Sequence, residues 1–204
     1  EGTLVHITPS VGHVYAAVWE KYGLKADPAQ VNRVFYQIYA QRRDDRAPTP
    51  ESCFEGWREV FFSTARRFGS LKDPERAYQE CYECFARKDY FRLTPGTPET
   101  LKRLKAAGLR LAVISNWDER LRRLLRALNL SAWFEEIFIS CEIGLAKPDP
   151  EIYRYACGKL KVKPSQSLMI GDNLRDDVLA ARRAGLLALR YPGGNLARLF
   201  PGSL

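Results

Sequence analysis

The sequence predicts an α/β protein, a mostly parallel sheet covered by helices, preceded by a separate bundle of four helices. Two observations carry this. From about residue 10 to 90, apolar residues recur only at three- and four-residue spacing, whereas from about Thr94 onward short apolar runs alternate with helical stretches. Composition agrees: 204 residues, 46% apolar and 12% aromatic, are enough to bury a real core, and the low hydrophobicity of disordered chains is absent.

In the first region Val11, Val14, Tyr15, Val18, Trp19 and Tyr22 form one helical stripe, and Val31, Val34, Phe35, Ile38 and Tyr39 a second. Trp57, Val60, Phe61, Thr64, Ala65 and Phe68 form a third, and Ala77, Tyr78, Cys81, Tyr82 and Phe85 a fourth. Breaks at Gly23, at 44–50 and at Gly69–Pro74 separate them. Inward aromatic stripes on four helices read as a small bundle, with Trp19 and Trp57 expected in its core. In the second region the expected strands are Leu111–Ile114, Ile137–Ile139, Leu168–Ile170 and Leu186–Leu189. Helical stretches near 98–107, 119–128, 150–160 and 174–184 lie between them, most closed by Gly108, Gly158 or Gly185. Short apolar strands of this kind imply a parallel sheet covered on both faces. Ligands of such sheets bind at the carboxyl ends of the strands, so chemistry is sought there.

The strand at 111–114 runs into Ser115-Asn116, a hydroxyl and an amide able to hold an anion's oxygens, though a turn or helix start explains the pair equally. After 137–139 comes Gly144-Leu145-Ala146-Lys147-Pro148-Asp149-Pro150, where proline on the following side holds a lysine at a fixed place. The strand at 168–170 ends in Gly171-Asp172-Asn173-Leu174-Arg175-Asp176-Asp177. Three carboxylates so close repel one another and call for a cation; magnesium needs only one or two of them plus phosphate and water. The bland reading is an acidic first turn favoured by the helix dipole.

Taken together, and with Glu1-Gly2-Thr3-Leu4 at the start, these residues resemble the haloacid dehalogenase-like hydrolase superfamily, in the branch with an inserted helical cap. That family carries an N-terminal Asp-x-Asp-Gly-Thr-Leu signature, then Ser or Thr, then Lys, then Gly-Asp with a further Asp. The matching positions are Gly2-Thr3-Leu4, Ser115, Lys147, Gly171-Asp172 and Asp177. The resemblance implies a Rossmann-like parallel sheet core from residues 1–9 and 91–204, and a four-helix cap from 10–90. It implies a magnesium-dependent phosphomonoester hydrolase acting through an aspartyl-phosphate on a small phosphorylated metabolite. Glu1 falls on the general acid/base position, one methylene longer than the usual Asp. Asp172, with the Glu1 carbonyl, would hold Mg2+. Lys147 and Ser115 would hold phosphate oxygens with Asn116 and Thr3 in support, and Asp177, rather than Asp176, would orient Lys147 or a metal-bound water. The nucleophilic aspartate would lie two residues before Glu1, and the first strand of the sheet also lies upstream. The only methionine is Met169, so the chain is expected to be a piece of a longer enzyme and inert by itself.

Two rival readings remain: a 2-haloacid dehalogenase, against which the acidic Glu1 and the 172–177 loop argue, and a non-catalytic binding or regulatory module. Enolase-phosphatase relatives share Glu before Gly-Thr but fit the rest less well. The formal charge is +8, with much of the excess at 101–126, which includes Arg120, Arg122 and Arg123. Solvated helix faces are expected there, and nucleic acid is not an expected partner. Five cysteines in a chain of this size read as reduced thiols, and Cys81-x-x-Cys84 lies on a helix with no second half-site. No apolar run reaches membrane-span length and no secretory leader is visible, so a cytoplasmic protein without a membrane partner is expected. His6 and His13 read as ordinary surface residues, Trp133 as core, and Tyr191 as part of a turn. Trp117 is expected near the cleft. Oligomeric state is not read from the sequence.

Overall fold

The computed structural model describes residues 1–41 and 48–200; of the break expected at 44–50, residues 44–47 lie outside them. A short antiparallel ladder brackets the first region: β1 (Val5–Ile7) pairs with β2 (Phe91–Leu93), Val5 opposite Leu93 and Ile7 opposite Phe91. Between these strands run α1 (Val11–Lys21), α2 (Pro28–Gln41), α3 (Pro50–Ala65) and α4 (Pro74–Cys84). Their starts are written in the sequence. Ser10, Asp27, Thr49 and Asp73 each accept a backbone N–H of the helix they precede, and the last three are followed directly by proline, whose missing donor costs nothing at a first helical position. Tyr15, Trp19, Phe35, Phe61 and Tyr78 meet in the middle of the four helices. Tyr15–Phe35 and Trp19–Phe61 are edge-to-face, the favoured arrangement of aromatic pairs.

The second region contributes α5 (Thr97–Ala106), β3 (Ala112–Ser115), α6 (Arg120–Ala127), β4 (Glu136–Ile139), a single turn α7 (Ser140–Ile143), α8 (Glu151–Leu160), β5 (Leu168–Gly171) and, after a π-helical turn at Leu174–Leu179, α9 (Ala180–Arg183) and β6 (Leu187–Arg190). β3 and β4 are parallel from Ala112–Glu136 to Ser115–Ile139, and β5 and β6 from Leu168–Leu187 to Gly171–Arg190. The fold is thus the mixed α/β architecture with parallel strands that the sequence predicts, with β3–β4 and β5–β6 each hydrogen-bonded as a parallel pair.

Four expectations are corrected. Cover on both faces holds at β3–β4, where Val113, Ile137 and Ile139 pack on one side and Ile114 and Phe138 on the other, but not at β5–β6, where Met169 and Ala188 pack on Ala180, Ala181 and Tyr153 while Leu187, on the opposite face, is 63% exposed. Gly158 lies inside α8, which instead ends on left-handed Lys161. Cys53 and Cys141 are not free thiols; they form a disulfide joining α3 to α7, with Cα atoms 6.3 Å apart, a pairing across 88 residues that spacing does not reveal. Nor is the basic stretch uniformly a solvated face. Arg120 is buried, held by both oxygens of buried Asp118 at 2.7 and 2.6 Å, because its aliphatic stem starts α6 on the inward side. Arg110, Arg122 and Arg123 are paired with Glu135, Glu142 and Glu83. Cys81 and Cys84 are buried on α4, where burial pushes the Cys81 thiol well above its ordinary range. Among the described residues, no helix is long and apolar enough to cross a membrane.

Candidate active site

The strand ends converge. Ser115 closes β3, Lys147 sits in the loop between α7 and α8, and Asp172, Asn173, Asp176 and Asp177 follow β5. All of these line one cavity of about 290 Å³, together with Glu1, Asn116 and Trp117. Its position follows from the sheet, since the chain leaving a parallel strand at its carboxyl end opens a crevice between neighbouring loops.

Each polar residue is held from a different element. Lys147 Nζ donates to Asp177 Oδ1 at 2.6 Å, with both side chains largely buried. The other carboxylate oxygen of Asp177 accepts the Asn173 N–H at 2.9 Å. The π-helical turn aims Asp177 inward: the Val178 N–H reaches back five residues to the Asn173 carbonyl, and the Tyr153 hydroxyl donates to the Asp176 carbonyl at 2.7 Å. Gly171 is required beneath it, because a Cβ there would collide with the Asp177 side chain.

Asn116 lines the hollow and bonds the lysine loop through its amide. Its Nδ2 donates to the Lys147 carbonyl at 2.7 Å and its Oδ1 accepts the Lys147 N–H at 2.8 Å, pinning the lysine loop to the end of β3. Ser140 Oγ makes the matching strut, accepting the Trp117 N–H and donating to the Trp117 carbonyl, each at 3.1 Å. The Ser115 hydroxyl makes no side-chain hydrogen bond among the described residues. Thr3 Oγ1 donates to Asp172 Oδ1 at 2.7 Å, so it fixes the carboxylate rather than standing beside Lys147. Gly2 has φ 91° and lies so close to Asp172 that any Cβ would strike the carboxylate.

Glu1 lines the cavity with Lys147, Asp172 and Asp177. From α2, Tyr36 stands close enough for the Glu1 carboxylate to help burial raise its phenol. Four carboxylates, of Glu1, Asp172, Asp176 and Asp177, thus face one ammonium in the cavity, since Arg120, which also lines it, is neutralised by Asp118. The excess negative charge and the second oxygen of Asp172, free of hydrogen bonds among the described residues, suit a hard divalent cation completed by ligand oxygens. Among the described residues, no three His, Cys, Asp or Glu side chains are clustered to bind a metal alone.

A family model described as haloacid dehalogenase-like hydrolase matches residues 1–185. The chain belongs to that family. A curated relative, haloacid dehalogenase-like hydrolase domain-containing protein 3 of Xenopus laevis, is 32% identical over 193 residues, 90% of this chain and 78% of the relative. Glyceraldehyde 3-phosphate phosphatase of Pyrococcus furiosus is 34% identical over 112 residues, 54% of this chain and 46% of that protein. Among solved structures, a HAD phosphatase from Thermococcus onnurineus aligns with TM-score 0.67 at 21% identity, covering 100% of this chain and 95% of that one, a likeness of fold. By its family the chain is an enzyme of the hydrolase kind.

Within this haloacid dehalogenase-like hydrolase, four neighbours of the cluster escape sequence reading. Asn173 carries a capping signature but is masked by the acidic residues around it. Arg120 is indistinguishable in sequence from the exposed arginines beside it. Trp57 and Tyr39 lie on apolar helical stripes and both line the cavity, Trp57 while also packing on the bundle core and Tyr39 while 43% exposed. Trp117 lies at the cavity as expected. Trp133 packs on the sheet core from a 3₁₀ turn, and Tyr191 closes a turn by donating to the Gly194 carbonyl at 2.6 Å. His6 faces Thr94, and His13 the Ser10 cap, each at 2.9 Å.

Proposed function

We propose that this protein is a magnesium-dependent phosphomonoester hydrolase that works through an aspartyl-phosphate on a small phosphorylated metabolite, with 1–9 and 91–204 as the catalytic core and 10–90 as a cap. The observation that carries the reading is the meeting of Ser115, Lys147, Asp172 and Asp177, from three separate strand ends, around one hollow. An ammonium and a hydroxyl there suit a phosphoryl dianion, and the surplus of carboxylates suits a cation between protein and phosphate.

In this reading Lys147 binds phosphate oxygens, held in place by Asp177 through its side chain and by Asn116 through its main chain. Ser115 donates to another phosphate oxygen. Attack on phosphorus is by the aspartate that the family pattern places two residues before Glu1. Glu1 gives its proton to the departing alkoxide oxygen, then takes one from the water that cleaves the phosphorylated aspartate. Asp172, oriented by Thr3, and the Glu1 carbonyl would hold Mg2+, which when bound offsets negative charge on the transferring phosphoryl group. The helices between β1 and β2 cover the site and limit access of water.

The test is phosphate release from a panel of phosphomonoesters, using protein that includes the gene sequence preceding Glu1. Activity should require magnesium and disappear with EDTA. Turnover of 2-haloacids in the presence of EDTA would overturn the phosphatase assignment in favour of dehalogenation.

A further inference from the structure

Helices α1 to α4 and the strand-end loops face each other across the cavity, with Tyr15, Phe35 and Phe61 on one side and Ser115, Lys147 and Asp172 on the other. The chain crosses between these two parts at 8–10 and again at 85–90. Beside the second crossing the end of α4 is fastened to the start of α6. The Tyr82 hydroxyl donates to Glu119 at 3.0 Å, its carbonyl accepts from Arg120 at 2.9 Å, and Glu83 pairs with Arg123. Fastening beside a crossing is compatible with a hinge there, about which helices can swing away from a site.

The Cys53–Cys141 disulfide is a fastening of another kind. It joins α3 to α7 across 88 residues, and both cysteines line a second cavity of about 380 Å³ that shares Asn116, Lys147 and Asp176 with the first. Each end of the bond is itself held. On α7, Glu142 accepts from Arg122 at 2.7 Å, and the Cys141 N–H donates to the Trp117 carbonyl at 3.2 Å. On α3, the Phe54 carbonyl accepts the Tyr78 hydroxyl of α4 at 2.6 Å. A disulfide keeps its Cα atoms within about 7 Å of each other, so α3 cannot leave α7 while the bond exists.

We propose that Cys53 and Cys141 form a thiol–disulfide switch on the helical cap, which pins the cap over the site when oxidised and lets it swing open when reduced. This rests on the reading of 10–90 as a cap over a hydrolytic site and adds control of that site by redox state. The reagent class is a small dithiol, which reaches the sulfurs through the second cavity. Its thiolate attacks one sulfur to form a mixed disulfide, and the other cysteine leaves as a thiolate that takes up a proton. The second thiol of the reagent then displaces the remaining cysteine, and the reagent departs as a cyclic disulfide. Two electrons pass to the protein, and the oxidised reagent runs the exchange backwards.

The experiment compares the oxidised upstream-extended protein, the same protein reduced with dithiothreitol, and Cys53→Ser. Amide hydrogen exchange at short labelling times reads local opening rather than global unfolding. Exchange in 140–144, where α3 meets α7, should be at least about fivefold faster after reduction, the low end of couplings between separate sites. Amides of β4 should not change at the same labelling times. Cys53→Ser should match the reduced protein with or without dithiothreitol. In parallel, kcat for para-nitrophenyl phosphate in magnesium should rise on reduction of the wild type and stay constant in the variant, since cap opening limits entry and release. Equal exchange in 140–144 before and after reduction overturns the switch, whatever the activity, and so does equal acceleration in β4. Faster exchange confined to 140–144, with no phosphomonoester turned over in either state, supports the switch and counts against the phosphatase reading instead.

Discussion

Lys147 and Asp177 come from different loops, thirty residues apart, yet the ammonium and carboxylate meet at 2.6 Å with little exposure of either. The pair is a means of placing a positive charge. Asp177 is anchored in turn by the Asn173 N–H, so the lysine's position is set by the turn after β5 as much as by its own loop. Lys147→Ala should lower kcat/KM by about 10²–10³, the cost of removing a preorganised group from a transition state. Asp177→Asn should cost less and act mainly on kcat, by letting the ammonium wander. Lys147→Arg should not restore activity, because a planar fork cannot replace a point charge in a confined space. Steady-state kinetics on the three variants checks this; full activity in Lys147→Arg would contradict it.

Arg120 and Asp118 should dominate the stability of the junction between α4 and α6. Both are buried, and Arg120 also donates to the Tyr82 carbonyl at 2.9 Å. Arg120→Met leaves the Asp118 carboxylate buried and uncompensated, a loss of about 3–5 kcal/mol. Asp118→Leu combined with Arg120→Met should regain most of it, since apolar replacements of buried pairs are often neutral. Urea denaturation of the single and double variants separates these outcomes, and additive losses would sink the explanation.

The disulfide between Cys53 and Cys141 leaves Cys81, Cys84 and Cys157 as thiols. Titration of the unfolded protein without reductant should therefore count three thiols, and five after reduction. Closing a loop of 88 residues is worth up to about 4–5 kcal/mol in the chain-entropy view, so dithiothreitol should lower Tm in the wild type and not in Cys53→Ser. Five thiols before reduction would contradict the pairing.

Much of this was readable in advance, and the reasons for the rest are physical. The four helical stripes and the four parallel strands follow from periods of 3.6 and from short apolar runs, which burial on a face enforces. β1 and β2, at three residues each, are too short to show any period. Ser115, Lys147, Asp172 and Asp177 could be singled out because strand ends are where ligands bind. An amide and a hydroxyl such as those of Asn116 and Thr3 read as ligand-facing donors in sequence, but each can satisfy a neighbour equally well; in the structure Asn116 braces Lys147 and Thr3 braces Asp172. Burial of Arg120 and the Cys53–Cys141 bond depend on tertiary placement alone, to which a local pattern is blind.

Acid should unfasten α1 from α4. Glu80 on α4 bonds Lys21 and accepts from the Tyr22 hydroxyl at 2.9 Å, and the Lys21 hydrogen bond holds its carboxyl below the ordinary 4.5. Between the folded and unfolded values the unfolded chain binds more protons, so the contribution is whole above about pH 4.5 and vanishes as pH falls through the lower folded value. Lys21 is raised above 10.5 by the same bond, so at the alkaline end its share persists below that pH and is lost as pH rises through the higher folded value. Tm followed against pH for wild type and Glu80→Gln should show curves separated at neutral pH that merge in acid. A constant separation down to the lowest pH would refute the linkage.

The central claim is that the polar floor binds a phosphoryl group and a divalent cation as one unit. Calorimetric titration with inorganic phosphate measures this directly. Binding is expected in magnesium, to be lost in EDTA, and to weaken at least about tenfold in Lys147→Ala and in Asp172→Ala, the scale of one charge-assisted contact. Phosphate affinity indifferent to magnesium and to both substitutions would contradict the account.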